Sequence, residues 1–188
     1  MFVKKSNYVN LCNDYEELYE KYRLTNIELK DWQRKEENFF KLAERVNSEL
    51  ETMRLLKITN NNYNEPCFIM GFEKEDDFSL RLFSTSRFKT GNNTFLNASS
   101  KGMWHSEYPN DMIKIHDICS RDTDRGHGTI LLQCLEELAK KRQKKIIKGW
   151  LSPVDRESFP KLTHFYKKNG FQVSFSEDGI SGNIEKRL

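Results

Sequence analysis

From Leu11 to about Lys57 the chain contains neither proline nor glycine, while Glu, Lys, Leu and Arg are abundant. Such residues lose little side-chain freedom in a helix, and with no breaker among them the stretch predicts one continuous helix. At about 1.5 Å per residue that helix would run roughly 70 Å, too far to lie across one small domain without overhanging it. The chain has 188 residues, which leaves room for one domain with a proper core beside this arm and excludes two large domains.

The apolar residues of the arm fall on a seam. Leu11, Tyr15, Leu18, Tyr22, Leu29, Trp32, Phe39, Ala43, Val46, Leu50 and Met53 recur in alternating steps of four and three, interrupted at Thr25 and Glu36. A heptad pattern sustained this far predicts a coiled coil, and with it a homodimer through residues 11–56. The alternative is an amphipathic helix, or a helical hairpin broken near Thr25 and Asn26, packed on its own domain; the bulk of Trp32 and Phe39 suits such a contact.

The polar break from Asn60 to Pro66 ends the helical period. Beyond it come short apolar runs separated by turn residues, so 1–59 reads as a helical segment and 60–188 as the globular part. Cys67 to Phe72, Phe78 to Phe83, Thr94 to Ala98 and Met112 to Cys119 read as strands of a mostly antiparallel meander. The order then becomes strand, helix, strand, helix: Ile113 to Ser120, Thr129 to Lys141, Ile146 to Leu151, Phe159 to Lys168, and a last strand from Phe171. In the first of these helices Ile130, Leu131, Cys134, Leu135 and Leu138 form an apolar face. A right-handed βαβ unit with adjacent parallel strands follows. The expected fold class is therefore α/β (α+β): a mixed, mostly antiparallel sheet with a central βαβ unit, preceded by a long coiled-coil-like helix.

Charge excludes one class of partner. With 31 basic and 28 acidic residues the net charge is +3, too balanced for global attraction to nucleic acid. The run Lys140, Lys141, Arg142, Lys144, Lys145, Lys148 could meet phosphate, but cations at a solvated helix end suit the helix dipole equally. Cys12, Cys67, Cys119 and Cys134 lack the paired short spacings of zinc sites, so no structural metal is expected. The start, MFVKKSNYVN, has no apolar run of a signal peptide, and no stretch reaches membrane-span length. A cytoplasmic protein with free thiols is expected.

The stretch that carries chemistry is Ile113 to Leu132, IKIHDICSRDTDRGHGTILL. A strand runs into a charged loop, then into Arg125, Gly126, His127, Gly128 and Thr129, and directly into an amphipathic helix. Glycines at such a junction permit a tight turn and close approach of backbone to ligand, and first-turn amides backed by the helix dipole form a pyrophosphate site. The pattern is neither a Walker loop nor the three-glycine dinucleotide fingerprint. Downstream, LTHFYKKNGFQV, Leu162 to Val173, is a helix closed by Asn169 and a glycine cap at Gly170 before a new strand.

Together, R-G-H-G-T-I-L-L and, about forty residues on, H-F-Y-K-K-N-G-F resemble the GNAT superfamily of acetyltransferases over Ile113 to Val173. The resemblance implies a domain at 60–188 that binds acetyl-CoA as cosubstrate and transfers its acetyl group to an amine in a ternary complex. It implies that the amides of Arg125, Gly126, His127, Gly128 and Thr129 hold the pyrophosphate, and that the backbone of Ile118, Cys119 and Ser120 lies along the pantetheine and acetyl group. Tyr166 matches the tyrosine that protonates the departing thiolate. Two positions depart from the pattern: Ile130 replaces a frequent small residue, and Phe159 stands where many members have asparagine. The usual pair of helices between the first two strands is absent or displaced into the arm.

A base must also take a proton from the attacking ammonium. The apolar alternation Ile113, Ile115 slips to Ile118, which predicts a bulge near Asp117 that re-aims a side chain. Asp117 is the favoured base; His116 on the same strand, His105, Glu107 and Asp155 are weaker candidates, and His127 is expected to contact CoA or face solvent. Cys119 reads as a buried strand thiol. The reading from a second class is a non-catalytic CoA-binding adaptor or regulator working through its helical arm. Thr85 to Asp111, which should shape the acceptor site, carry no recognisable pattern.

Overall fold

The arm is a single 45-residue helix, α1 (Lys5–Glu49), in the computed structural model, which describes residues 5–49, 52–74, 76–84, 94–100, 111–120 and 124–188. It does not break at Thr25, where the Thr25 hydroxyl donates to the Lys21 carbonyl at 2.9 Å, so the hairpin reading fails. The helix also ends sooner than the lack of proline and glycine predicts. Instead of continuing to Lys57, it ends at Glu49, and Arg54–Asn60 form a strand, β1. Leu55 and Ile58 pair with Met70 and Phe68 of a neighbouring strand, with Leu56 at a bulge between them, and pairing outweighs a weak helix preference.

Seven further strands complete one sheet: β2 (Pro66–Lys74), β3 (Asp77–Ser84), β4 (Thr94–Ser99), β5 (Met112–Cys119), β6 (Ile146–Leu151), β7 (Gln172–Phe175) and β8 (Gly182–Arg187). Their order is β1-β2-β3-β4-β5-β6-β8-β7. β1 to β5 form the expected antiparallel meander, β5 and β6 are parallel, and β8 returns antiparallel between β6 and β7. That final hairpin is not foreseen from the sequence, because GNIEKR is polar and half of its residues look outward. No helix separates β1 from β2 or β2 from β3.

Helices α2 (His127–Lys141) and α3 (Phe159–Lys168) cover one face of the sheet. Leu131, Leu132, Leu135 and Ala139 of α2, with Phe159 and Tyr166 of α3, share a core with Ile69, Leu80, Leu96, Ile113 and Ile147. Neighbouring strand residues point to opposite faces, so Met70 and Phe83 look the other way. There they meet Leu42 and Val46 of α1, and Met53. Only the last turns of α1 are so engaged: Leu42 is 1% exposed, whereas Trp32 is 72% exposed.

The lysine run does not gather into a phosphate patch. Lys140 and Lys141 close α2, Arg142 lies over the Phe78 ring at 4.4 Å, and Lys148 pairs with Glu185 at 3.0 Å. Among the described residues, no helix is long and apolar enough to cross a membrane, and no three His, Cys, Asp or Glu side chains cluster as metal ligands.

Candidate active site

β5 and β6 run side by side only from Met112 to Ile115 and from Ile146 to Gly149. β5 then continues to Cys119, paired with β4 alone, while β6 turns to β8. The two parallel strands therefore part, and His116 to Cys119 present their β6-side backbone to the cleft. The bulge predicted near Asp117 is present: Asn97 pairs with Asp117 and Ala98 with Ile115, leaving His116 as the extra residue. Both His116 and Asp117 are exposed, Ile118 and Cys119 half-buried. The His116 ring lies 2.6 Å from the Ser99 hydroxyl, and burial, then the Lys114 charge, lower its pKa.

Past β5 the chain re-enters the described structure at Asp124, in the left-handed region with φ 71°, followed by Gly126 at φ 79°. Gly126 caps α2 without a side-chain bond. The first hydrogen bond of the α2 ladder runs from the Ile130 amide to the Gly126 carbonyl at 3.0 Å, so the amides of the preceding turn point out of the N-terminal end of the helix. They lie at the positive end of the helix dipole, a site for an anion.

The side chains of this loop face away from that task. His127 is buried, with its Nε2 3.3 Å from the Asn61 amide, so the expectation of a solvent-facing residue is corrected: the ring is packed inward. Arg125 is held by Glu65 at 2.6 Å and stacks over Tyr63 at 4.9 Å. Both side chains are thus engaged within the protein. Gly128 has a second reason to be glycine: a Cβ there would stand 3.0 Å from Phe165 Cζ on α3. The two helices close on each other at this point.

The turn between β1 and β2, which reads in the sequence only as a polar break, braces this loop. The Asn62 amide donates to the Arg125 carbonyl at 3.1 Å and its side chain to the Asp124 carbonyl at 3.1 Å. Asn61 is buried; its side chain accepts from the amides of Tyr63 and Glu65 and donates to the Glu65 carboxylate at 2.7 Å. A buried asparagine with all these partners is a hub, and removing it leaves several groups unsatisfied. Asn61→Ala is expected to cost about 1–3 kcal/mol and to speed amide exchange selectively at residues 124–128. Unchanged exchange there would show that the turn does not hold the loop.

Tyr166 sits in the last turns of α3, 4% exposed, edge-on to Phe165 and Phe171 at centroid distances of 5.1 and 5.5 Å. The Phe171 amide donates to the Tyr166 carbonyl at 3.0 Å, and Gly170 adopts φ 81°, as a glycine cap requires. Burial pushes the phenol pKa up, and the charges of Asp117 and then Asp155 push it further. Both carboxylates therefore lie near enough to the phenol for their charge to be felt there. Phe159, the position that departs from the family pattern, is a core ring 5.1 Å from Phe175. His105, Glu107 and most of Thr85 to Asp111 lie outside the described residues.

The geometry matches known structures. The GNAT domain of PAT from S. lividans aligns with a TM-score of 0.55 at 11% identity, covering 70% of this chain and 96% of that one. The chain has the GNAT fold. Other solved structures with this fold align less closely. PaiA N-acetyltransferase from Thermoplasma acidophilum, in complex with coenzyme A, gives a TM-score of 0.44 at 20% identity, over 60% of this chain and 62% of its own. A GNAT-family acetyltransferase from Streptococcus pneumoniae gives 0.44 at 16%, over 62% of this chain and 70% of its own. No family model and no curated protein matches the sequence. Relative to the usual GNAT plan, the arm stands outside the sheet and the helices between the first strands are missing.

Proposed function

We propose that this GNAT-fold protein is an acetyl-CoA-dependent N-acetyltransferase that transfers an acetyl group to a primary amine by direct attack in a ternary complex. The observation that supports the proposal is the parting of β5 and β6 beside the first turn of α2, where Gly128 closes on Phe165, the neighbour of the buried Tyr166.

In this mechanism the amides of His127, Gly128 and Thr129 bind the pyrophosphate, and the backbone of Ile118, Cys119 and Ser120 holds the extended pantetheine. Asp117, on the bulge, takes a proton from the incoming ammonium, leaving a neutral amine. The amine nitrogen attacks the thioester carbonyl and sheds its second proton to solvent, the carbon–sulfur bond breaks, and Tyr166 gives its proton to the departing thiolate. Solvent reprotonates Tyr166 and takes up the proton held by Asp117. Holding both reactants in one cleft supplies much of the rate through proximity alone.

The test is calorimetric titration of the full chain with acetyl-CoA, followed by thiol release with a panel of small amines, peptide amino termini and lysine peptides. Saturable binding with amine-dependent thiol release is expected. A folded protein that fails to bind acetyl-CoA overturns the proposal. Binding without turnover on any amine class would instead favour a CoA-binding adaptor working through α1.

A further inference from the structure

Among the described residues, a large apolar surface that the core does not use is the seam of α1 upstream of Phe39. Phe39 itself meets Phe68 at a centroid distance of 6.2 Å, and Leu42 and Val46 are buried under the sheet. Before that point Tyr15, Leu18, Tyr22, Leu29 and Trp32 all stand more than half exposed on one stripe. Monomeric soluble proteins rarely leave so contiguous a patch uncovered. The straight helix cannot fold back to cover it.

The charges beside the stripe identify what covers it. In the heptad frame of the seam, the flanking row on one side is Asp14, Lys21, Glu28, Lys35, strictly alternating in sign and all exposed. The other flanking row holds Tyr19, Asn26, Gln33 and Phe40, with no charge. In an antiparallel pair of helices each flanking row meets its own counterpart; in a parallel pair it meets the opposite row. An alternating charged row is therefore complementary to itself when reversed and finds no charge in the parallel arrangement.

We infer that α1 forms an antiparallel two-stranded coiled coil with α1 of a second copy of this chain, centred between Arg23 and Leu24. In that register Lys21 faces the second copy's Glu28 and Asp14 faces its Lys35, and the two-fold axis repeats both pairs. The core layers follow without adjustment. Tyr15 packs on the second copy's Trp32, Leu18 on its Leu29, and Tyr22 on its Thr25, whose hydroxyl is already satisfied by the Lys21 carbonyl. Sliding by one heptad in one direction sets Lys21 against Lys35 and Glu28 against itself. Sliding in the other sets Asp14 against Glu28 and Lys21 against itself. The parallel, in-register pair would stack Trp32 on Trp32 and Glu36 on Glu36.

Size and sterics agree. Three aromatic rings per copy, each able to bury about 150–250 Å², with two leucines, bring the two-copy total to about 1,000 Å² or more, where specific interfaces begin. Phe39, where each sheet body starts, lies roughly 23 Å along the helix from the centre at about 1.5 Å per residue, so the two bodies sit at opposite ends without collision. The existing pairs of Lys21 with Glu17 at 2.6 Å and Lys35 with Asp31 at 2.7 Å do not compete, because an ammonium has three donors.

The experiment is sedimentation equilibrium of the full chain over a range of concentrations. Wild type should weigh twice the 22.4 kDa of one chain. Lys21→Glu with Lys35→Glu, and separately Asp14→Lys with Glu28→Lys, should each weaken dimerisation about 100-fold, since every cross-pair becomes repulsive. Mixing the two variants in equal amounts should restore a dimer containing one of each, which also shows that both helices remain formed. A monomeric wild type, variants that dimerise as wild type does, or a mixture that stays monomeric would each overturn the inference. None of these outcomes depends on acetyl-CoA, so the inference and the proposed activity fail separately.

Discussion

Thr129→Glu is expected to weaken acetyl-CoA binding about 100-fold or more while leaving the melting temperature unchanged or slightly raised. The two effects have opposite signs for one physical reason. A carboxylate in the first turn of α2 lies at the positive end of the helix dipole and stabilises the helix by about 0.3–1 kcal/mol. The same carboxylate occupies the field that would hold the pyrophosphate, and like charges brought together cost several kcal/mol. Thr129 is half-buried and is the third residue after the cap, so the new charge stays within the first turn beside the amides at His127 and Gly128. Thr129→Gln, nearly the same size but neutral, should keep affinity within about tenfold of wild type, one decade being about 1.4 kcal/mol. Calorimetry and thermal unfolding on the three proteins decide it. Equal losses in the Gln and Glu variants would mean that bulk, not charge, blocks the site, and the anion-binding role of these amides would be withdrawn.

Gly128 is the less informative place to make that substitution, although the sequence points to it first. Any side chain there runs into the Phe165 ring, next to Tyr166, and would disturb the helix contact along with the ligand site. The glycine pair was legible as a turn before a helix; that the second glycine serves helix packing was not, since its neighbour is remote in sequence. The same holds for the brace. Asn61, Asn62 and Glu65 read as a polar break because hydrogen bonds to residues some sixty positions away leave no local pattern.

Periodicity performed well where one face of an element is buried. The α2 stripe, the β2 to β5 alternation and the bulge at His116 all follow from apolar spacing, and each lies where burial and exposure alternate sharply. It failed at β1 and β8. Arg54–Asn60 has a helix-compatible composition and is only half covered, and Gly182–Arg187 is too polar to announce itself; both become strands because a neighbouring edge was available to pair with. The seam of α1 was visible as a heptad, but the sequence could not say that Phe39, Leu42 and Val46 turn onto the protein's own sheet while the earlier heptads stand free.

Tyr166→Phe should lower kcat by about 10²–10⁴, the usual worth of a positioned proton donor, with acetyl-CoA affinity unchanged within a few-fold. The ring itself packs between Phe165 and Phe171 on α3 and at its end, and phenylalanine keeps those edge-on contacts, so the fold should survive. The pH profile separates proton donation from mere packing. Burial and the carboxylates of Asp117 and Asp155 raise the phenol above its ordinary value near 10, and a raised pKa means that the proton is retained throughout the assay range. The wild-type rate should therefore climb as the amine loses its proton, with no fall on the alkaline side below about pH 10. The phenylalanine variant should climb in parallel at its lower level, because the ascending limb belongs to groups it retains. An alkaline fall below that pH in wild type, absent from Tyr166→Phe, would mean that the phenol ionises early and is not held by this environment. A variant with full kcat would remove Tyr166 from the chemistry altogether and leave the thiolate to be protonated by water.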